Sequence, residues 1–526
     1  MRHDGLLNLQ MGSLIKMFGR FPLWFWLVIV FGIVLRIASI SWNDRLIGDV
    51  NLFALTAKEY SESAELYYPM KYDFSRLTQW GELKTPQSQH PPLWSFLAGL
   101  FAQVFGTTNT YFTLQMMSLF SQILLLLVMF RLCQFFGDDC TLHVLPWISL
   151  SPLLIDFAGN GSQYTFGSVL ILSACLILTK NVRNSFTGYF AAGSLCGLAY
   201  CTHGAFILAI ISVILAPFFT TSDLKKCLMM ALISSLGFLL SLIPLFIFRL
   251  EMFGSIFYNL NFKYFGEVFG KLKIISSNDG VYWFLDDDWS ATDILIYLKN
   301  CIKVWSNFLI SSLWEWGPVA LIFSLFIKTF ANRKITVPIL FAAMYLIPIL
   351  LWPGFKSRFL VPLIPFLLLL TYFGYQAFKQ MFPKLVRVRK IAVISIPAWF
   401  FISWFVSIWI TESPSKYYLI DLKHKNDYAE MLEISDLMKD LEKLPVIGSA
   451  KSLDGGIESV YHHGLPYIHA RGFDWDKIEK IQHDYQAQYF WTDEIMLPKY
   501  EENLKDMELL LHSGKFRLYR FKKSNG

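Results

Sequence analysis

The chain has 526 residues, of which 54% are hydrophobic and only 16% are charged. A soluble domain carries roughly 25% charged residues, so the composition excludes an ordinary soluble protein, and it also excludes disorder, a coiled coil and a disulfide scaffold. The net charge of +6 gives no particular support for a nucleic-acid partner. The composition indicates a polytopic α-helical membrane protein.

Apolar segments long enough to cross a bilayer, which takes about 20 residues, predict about eleven transmembrane helices. They lie near residues 21–42, 111–133, 141–158, 163–179, 186–202, 204–220, 227–249, 302–327, 337–352, 359–382 and 391–411. The shorter apolar stretch Pro92–Gly106 is expected to be a re-entrant or interfacial segment instead. Arg36 and Arg249 lie toward the ends of their spans, where their head groups are expected to reach water.

The basic residues set the orientation of these spans. With a cytoplasmic N-terminus, every strongly basic short loop falls on the cytoplasmic side, as the positive-inside rule requires. Those loops carry Lys180/Arg183, Lys225/Lys226, Arg333/Lys334 and Lys384/Arg387/Arg389/Lys390. We therefore expect a multi-pass protein of the cell membrane.

Three longer segments then face away from the cytoplasm, namely residues 43–110, 251–300 and 412–526. The last of these is charged, lacks cysteine and mixes helical with alternating patterns. Short strands are predicted at Pro445–Ser449, Tyr467–Ala470, Tyr489–Thr492 and, as a hairpin, within Leu509–Phe521. We predict a transmembrane domain over residues 1–411 and a small extracytoplasmic α/β domain over residues 412–526.

The first outer segment holds the most promising polar residues. Asp49 directly follows the first span and opens a stretch with helical spacing, and His90 precedes Pro91-Pro92 and the short apolar segment. An acid fixed where a helix meets the membrane surface is a candidate general base. The alternative is that Asp49 only caps the following helix, and its position alone favours this second role.

Four motifs in this order resemble those of glycosyltransferase family 39, the lipid-linked-sugar transferases of the C-type fold. They are Gly48-Asp49, His90-Pro91-Pro92-Leu93, Ser151-Pro152-Leu153-Leu154 and the segment Lys356–Pro365. The family includes protein O-mannosyltransferases and lipid A aminoarabinose transferases. The resemblance covers most of the first 411 residues and implies the same fold there.

The resemblance also implies roles for individual residues. Asp49 matches the acid that deprotonates the acceptor, and Arg358 matches the basic residue that binds the phosphate of the carrier lipid. Lys356 lies beside Arg358, and His90 occupies a position where relatives often have Lys or His. Arginine suits this role because its planar guanidinium makes bidentate contacts with phosphate.

Two departures from the family pattern concern acidic residues. Relatives often have Asp-Glu where this chain has Asp49-Val50, and many have an acid in the next outer loop, where this chain reads Gly159 to Tyr164 without a carboxylate. The type of acceptor and any pair of acids are therefore left open by the sequence.

The sequence thus predicts an enzyme that moves a monosaccharide from a polyprenyl-phosphate donor to an extracytoplasmic lipid, glycan or protein. One alternative is a transporter or flippase of lipid-linked sugars, which favours ionisable groups at mid-membrane and broken helices in matched halves. Another is a non-enzymatic membrane scaffold, which has no need of Asp49.

No cofactor or metal is expected. The run Asp286-Asp287-Asp288 has the oxygen ligands that a divalent cation prefers, but the solvated start of a helix is the interpretation that we favour. The histidines His462, His463 and His469 lack further ligands nearby in the sequence, and we do not expect them to form a metal site.

Overall fold

The computed structural model gives the fold of the membrane region and of the C-terminal region. It describes residues 19–42, 49–68, 70, 84–87, 90–180, 185–256, 273–277, 280–284, 333–350, 357–381, 433, 438, 444–449, 464–470 and 473–522. The predicted spans near 302–327 and 391–411 lie outside these residues, as does the predicted site residue Lys356.

The membrane region is helical. Its helices are α1 (Leu23–Trp42), α2 (Asp49–Ser63), α3 (Leu93–Phe105), α4 (Thr110–Phe136), α5 (Asp138–Ser149), α6 (Pro152–Gly159), α7 (Tyr164–Lys180), α8 (Phe186–Thr202), α9 (Leu208–Thr220), α10 (Leu224–Ser241), α11 (Ile243–Phe253), α12 (Arg333–Leu350) and α13 (Ile364–Met381). Two short hairpins accompany them, β1 (Tyr67–Tyr68) with β2 (Thr85–Pro86) and β3 (Lys273–Ser277) with β4 (Gly280–Phe284). Short 3₁₀ turns, Gly204–Ile207 and Ser357–Leu360, precede α9 and α13.

Within the described residues, three helices are long and apolar enough to cross a membrane, and the bent pair α5 and α6 brings the number to four if it counts as one span. Several further helices, among them α7 and α9, are apolar but shorter. Exposed apolar side chains such as Leu27, Phe120 and Leu232 lie on the outer faces of the bundle. This distribution is typical of helices that face lipid rather than water.

The predicted single span at 141–158 is two helices. α5 and α6 meet at an angle of 55° around Leu150 and Ser151. Pro152 has no amide hydrogen to donate to a carbonyl of the preceding turn, so it starts a new helix instead of continuing α5. The predicted span at 227–249 is likewise divided at Leu242, between α10 and α11.

Arg36 does not reach water, contrary to the prediction. Its side chain is fully buried, and it donates to the carbonyl oxygens of Ile148 at 2.9 Å and Ser149 at 2.6 Å, as well as to Gly32 in its own helix. These carbonyls lie in the last turn of α5, where the helical pattern of amide donors ends, and that of Ile148 also accepts from the backbone N–H of Ser151 at 3.3 Å. The guanidinium therefore satisfies the helix end at the bend, where the helix dipole also favours a cation. Arg249 is also buried, 7% exposed, beside Tyr200.

The C-terminal region forms one five-stranded mixed sheet with two helices. Its strands are β5 (Val446–Ser449), β6 (Tyr467–His469), β7 (Tyr489–Asp493), β8 (Glu508–Ser513) and β9 (Phe516–Arg520), and its helices are α14 (Trp475–Tyr485) and α15 (Leu497–Leu504). The strand order is β6-β5-β7-β9-β8, with β5 parallel to both of its neighbours. The predicted strands coincide with these five.

Both faces of this sheet are buried. Ile447, Ile468 and Phe490 pack on α14 and α15. The neighbouring residues in the strands point to the opposite face, where they form a second cluster that we call the shared core. It consists of Val446, Tyr467, Tyr489, Trp491, Phe516 and Leu518 from the sheet with Leu52, Phe53, Tyr68, Met70 and Trp94, among others, from the segment around α2 and α3. The sheet therefore lies against the first segment that was predicted to be extracytoplasmic.

Candidate functional site

Helix α2 begins at Asp49, as the spacing predicted. The side chain of Asp49 lies outside the described residues, but the backbone places it in the first turn, where the helix dipole favours a carboxylate. The next residue, Val50, is buried against the loop that contains Gly161. One turn later, the fully buried Phe53 contacts the ring of His90, with ring centroids 5.3 Å apart. Asp49 thus stands one helical turn from the residue that contacts His90.

His90 is buried and faces a second histidine. Its ring is 5.2 Å from that of His203, at an interplanar angle of 31°. Pro91 and Pro92 follow, and α3 starts at Leu93, so the two prolines fix the direction in which α3 leaves the site. His203 comes from the junction between α8 and the 3₁₀ turn before α9.

The loop between α6 and α7 connects four elements. Gln115 of α4 donates to the carbonyl of Gly159 at 2.8 Å, and Ser118 donates to that of Ser162 at 2.8 Å. Trp94 of α3 donates to the carbonyl of Gly161 at 2.9 Å. Gly161 has φ of +76°, a conformation that favours glycine. All residues of this loop are buried, and their contacts join α2, α3, α4 and α7.

Tyr164, at the start of α7, joins the two histidines to the predicted phosphate ligand. Its hydroxyl lies 3.0 Å from Nε2 of His203, and the ring centroids are 4.8 Å apart. The guanidinium carbon of Arg358 lies 5.9 Å from the Tyr164 ring and 5.6 Å from the Phe359 ring, distances typical of cation–π contacts. Arg358 itself is half-buried on the 3₁₀ turn before α13.

The structure therefore brings together two of the predicted site residues, His90 and Arg358, through Tyr164 and His203. These two connecting residues were not predicted from the sequence. A signal was present for His203, since it interrupts two apolar stretches that were expected to form consecutive spans. Lys356 lies outside the described residues and its predicted role stays a prediction.

A separate polar cluster lies at the other end of the bundle. Arg20 pairs with Asp138 at 2.6 Å, and Asp139 accepts hydrogen bonds from Tyr372 at 3.1 Å and Gln376 at 2.6 Å. Arg358 precedes the first turn of α13, whereas Gln376 lies near its last turn. The candidate site and this cluster are therefore at opposite ends of α13.

The N-terminal end of α2 lies at the site, and salt bridges form near its C-terminal end. The ammonium of Lys84 pairs with Glu59 and, at 3.3 Å, with Glu65. The hydrogen bond that Lys84 donates to Glu59 raises the pKa of Lys84, because it favours the charged form. These contacts fold the segment that contains β2 back along α2.

Within the described part of the chain, no group of three or more His, Cys, Asp or Glu side chains is arranged to hold a metal ion. The segment Asp286–Asp288 and the histidines His462 and His463 fall outside that part. His469 lies on β6 of the C-terminal sheet.

Solved structures of membrane glycosyltransferases have a similar fold. The apo structure of ArnT from Cupriavidus metallidurans matches with a TM-score of 0.58 at 12% identity, covering 94% of this chain and 97% of that chain. The structure of the same protein bound to undecaprenyl phosphate matches with a TM-score of 0.54 at 12% identity, covering 95% of this chain and 98% of that chain.

The oligosaccharyltransferase AglB from Archaeoglobus fulgidus, in complex with an inhibitory peptide and a dolichol-phosphate, matches with a TM-score of 0.53 at 13% identity, covering 90% of this chain and 70% of that chain. No family model and no curated relative matches the sequence. At these identities the likeness establishes the fold, and it confirms the resemblance drawn from the four motifs. The chain has the C-type fold of membrane glycosyltransferases.

Proposed function

We propose that the protein transfers a monosaccharide from a polyprenyl-phosphate donor to an acceptor on the extracytoplasmic side of the membrane. The observation that carries the proposal is the convergence of His90 and Arg358 at the end of the bundle where the helix of Asp49 begins. A shared fold alone does not establish an activity, because one fold hosts many functions and the residues of the site decide the chemistry.

In this proposal the acceptor hydroxyl attacks the anomeric carbon of the sugar. The new carbon–oxygen bond forms as the bond to the phosphate oxygen breaks, the electron pair stays on the phosphate, and the acceptor proton passes to Asp49. Arg358 stabilises the phosphate as its negative charge grows, with Lys356 and His90 beside it. Attack opposite the leaving group inverts the anomeric centre, and the lipid product remains in the bilayer.

The orientation of the site supports an extracytoplasmic reaction. The polar cluster of Arg20 and Asp138 lies next to the N-terminal end of α1, which the basic residues predict to be cytoplasmic. The candidate site is at the opposite end of the bundle and next to the sheet of residues 444–522. We therefore propose that residues 412–526 and the segment 43–110 lie on the outer side of the cell membrane.

A transport function has weaker support. Arg36, a charged residue within a span, is held by three backbone carbonyls at the bend between α5 and α6. It therefore has a structural role, rather than lining a path across the membrane. A flippase is nevertheless the alternative that the assay must distinguish.

The test uses the full-length protein in proteoliposomes with a radiolabelled polyprenyl-phosphate sugar and cell-envelope acceptors. Asp49→Asn keeps the size of the side chain and removes its basicity, so we expect transfer to fall by about 10²–10⁴-fold with donor binding unchanged. Glu62→Gln, the same chemical change at the exposed far end of α2, is the control and is expected to leave transfer unchanged. An Asp49→Asn protein with wild-type transfer would show that Asp49 only supports the helix.

The donor is tested in the same assay. Arg358→Ala is expected to weaken use of the polyprenyl-phosphate sugar more than Arg358→Lys, since lysine keeps the charge but loses the planar fork. Turnover supported by a nucleotide sugar instead would contradict the role given to Arg358. Movement of the donor across the bilayer without any transfer would identify a flippase.

A further inference from the structure

The protonation of His203 follows from its two hydrogen bonds. Its Nδ1 accepts a hydrogen bond from the backbone N–H of Ala205 at 3.1 Å, so Nδ1 carries no proton. A neutral imidazole has one donor and one acceptor nitrogen, and the proton is therefore on Nε2. That nitrogen lies 3.0 Å from the hydroxyl oxygen of Tyr164 and donates to it.

The hydroxyl of Tyr164 is oriented as a consequence. Its oxygen accepts the proton of His203, so its own hydrogen points away from the imidazole. Both side chains are buried, with 2% of Tyr164 and 7% of His203 exposed. Burial in a low-dielectric environment strengthens the interaction of this hydroxyl dipole with any charge placed beside it.

The ring of Tyr164 also contacts Arg358, the predicted phosphate ligand. The guanidinium lies 5.9 Å from the centre of the Tyr164 ring, and Phe359 packs edge-on against the same ring with centroids 5.8 Å apart. Contacts with the rings of Tyr164 and Phe359 therefore position Arg358. Arg358 therefore contacts the ring that carries the oriented hydroxyl, and an anion bound between the two groups would meet both.

We propose that Tyr164 donates its hydroxyl hydrogen bond to the phosphate of the lipid-linked sugar, and that His203 is the positioning residue that orients this hydroxyl. This inference rests on the proposed function. As the bond between sugar and phosphate breaks, charge grows on the phosphate oxygen, and a fixed neutral donor stabilises that charge together with the guanidinium. The donor keeps its proton throughout, so no further proton transfer is involved.

Three variants test the roles proposed for Tyr164 and His203. Tyr164→Phe removes the hydroxyl alone. His203→Asn keeps an oxygen acceptor suited to cap the Ala205 N–H but lacks the Nε2 proton, so the fold is retained while the orientation of Tyr164 is lost. The double variant combines both changes. Tyr189→Phe, which removes a buried hydroxyl near Thr220 at a distance from the site, is the control.

We expect Tyr164→Phe to lower the turnover number by about 10²–10³-fold, as loss of one fixed donor to a developing anion does, and His203→Asn to lower it by roughly tenfold. Because His203 acts through Tyr164, the double variant should be no slower than Tyr164→Phe. Purely structural roles predict instead that the losses multiply, or that folded yield falls while turnover per folded molecule stays at the wild-type value. Either of these results would overturn the proposal.

Binding of undecaprenyl phosphate to the purified protein supplies a readout that does not depend on turnover. We expect weaker binding in Tyr164→Phe and unchanged binding in Tyr189→Phe. If the wild type transfers sugar but Tyr164→Phe binds and reacts like it, the inference fails and the proposed function stands. If the wild type transfers no sugar while Tyr164→Phe still weakens binding, the proposed function fails and the phosphate contact stands.

Discussion

Arg36 offers a sensitive test of how the bend between α5 and α6 is maintained. The change Arg36→Met keeps a long side chain in the buried space and removes the hydrogen bond to Gly32 in its own helix and the two bonds to Ile148 and Ser149 across the bend, of which only the last two are counted here. Hydrogen bonds from a charged group contribute about 1.5–3 kcal/mol each. Two such bonds predict a loss of about 3–6 kcal/mol, which is a large part of the stability of a typical protein.

The magnitude is checked by thermal denaturation of the purified protein in detergent. For a chain of this size, a loss of 3–6 kcal/mol corresponds to a fall in the midpoint temperature of roughly 3–5 °C. Arg131→Met is the matched control, because that arginine is exposed near the end of α4 and donates to the nearby side chain of Gln134 at 3.2 Å. We expect it to change stability by less than about 0.5 kcal/mol. Arg36→Lys should fall between the two, since one ammonium cannot reproduce the planar fork.

The result that refutes this reasoning is equal stability of Arg36→Met and Arg131→Met. It would show that the carbonyls at the end of α5 find other donors, and that the bend does not depend on the guanidinium. Transfer activity should follow the stability of Arg36→Met, because α6 leads directly into the loop that joins Trp94, Gln115 and Tyr164.

Two further predictions concern the C-terminal sheet and α3. Tyr500→Phe should lower the free energy of unfolding by about 1–2 kcal/mol, measured with urea, because the Tyr500 hydroxyl donates to the Phe473 carbonyl at 3.0 Å and accepts from Ser449 at 2.7 Å. Burial raises the pKa of Tyr500. This contribution to stability should therefore be present below about pH 10, where the unfolded phenol is protonated, and should be lost as the pH rises through the raised pKa of the folded state. A stability difference that does not change with pH would contradict the prediction. Val104 is 71% exposed on the apolar outer face of α3, so a spin label on a cysteine at this position should contact lipid. A label on Glu62→Cys should contact water. Equal accessibility of both labels to a water-soluble relaxation agent would refute the interfacial placement of α3.

Local patterns predicted much of the fold. The strands of residues 444–522 were found because their side chains alternate between two buried faces, as in Val446 and Ile447. Apolar length likewise predicted α7, α8 and α9 closely. Both patterns depend only on residues that are close together in the sequence, so they can be recognised without a structure.

The features that were missed depend on contacts between distant residues. Arg36 looked like an interfacial residue because its partners, Ile148 and Ser149, belong to another helix. The link between Tyr164 and His203 likewise joins two different helices. Resemblance to a family supplied Arg358 and His90, but no pattern along the chain indicated which side chains would lie between them.

The shared core has a consequence for biosynthesis. Helix α2 leaves the ribosome before nearly 400 further residues that precede β5. At about 5–20 residues per second, its apolar face waits roughly 20–80 s for the strands that cover it. During that interval the shared core around Leu52 and Phe53 lacks the side chains of the strands, and a chain that stops before residue 444 never receives them. Quality control that detects exposed apolar surface would therefore remove truncated copies, whether or not their membrane helices had inserted correctly.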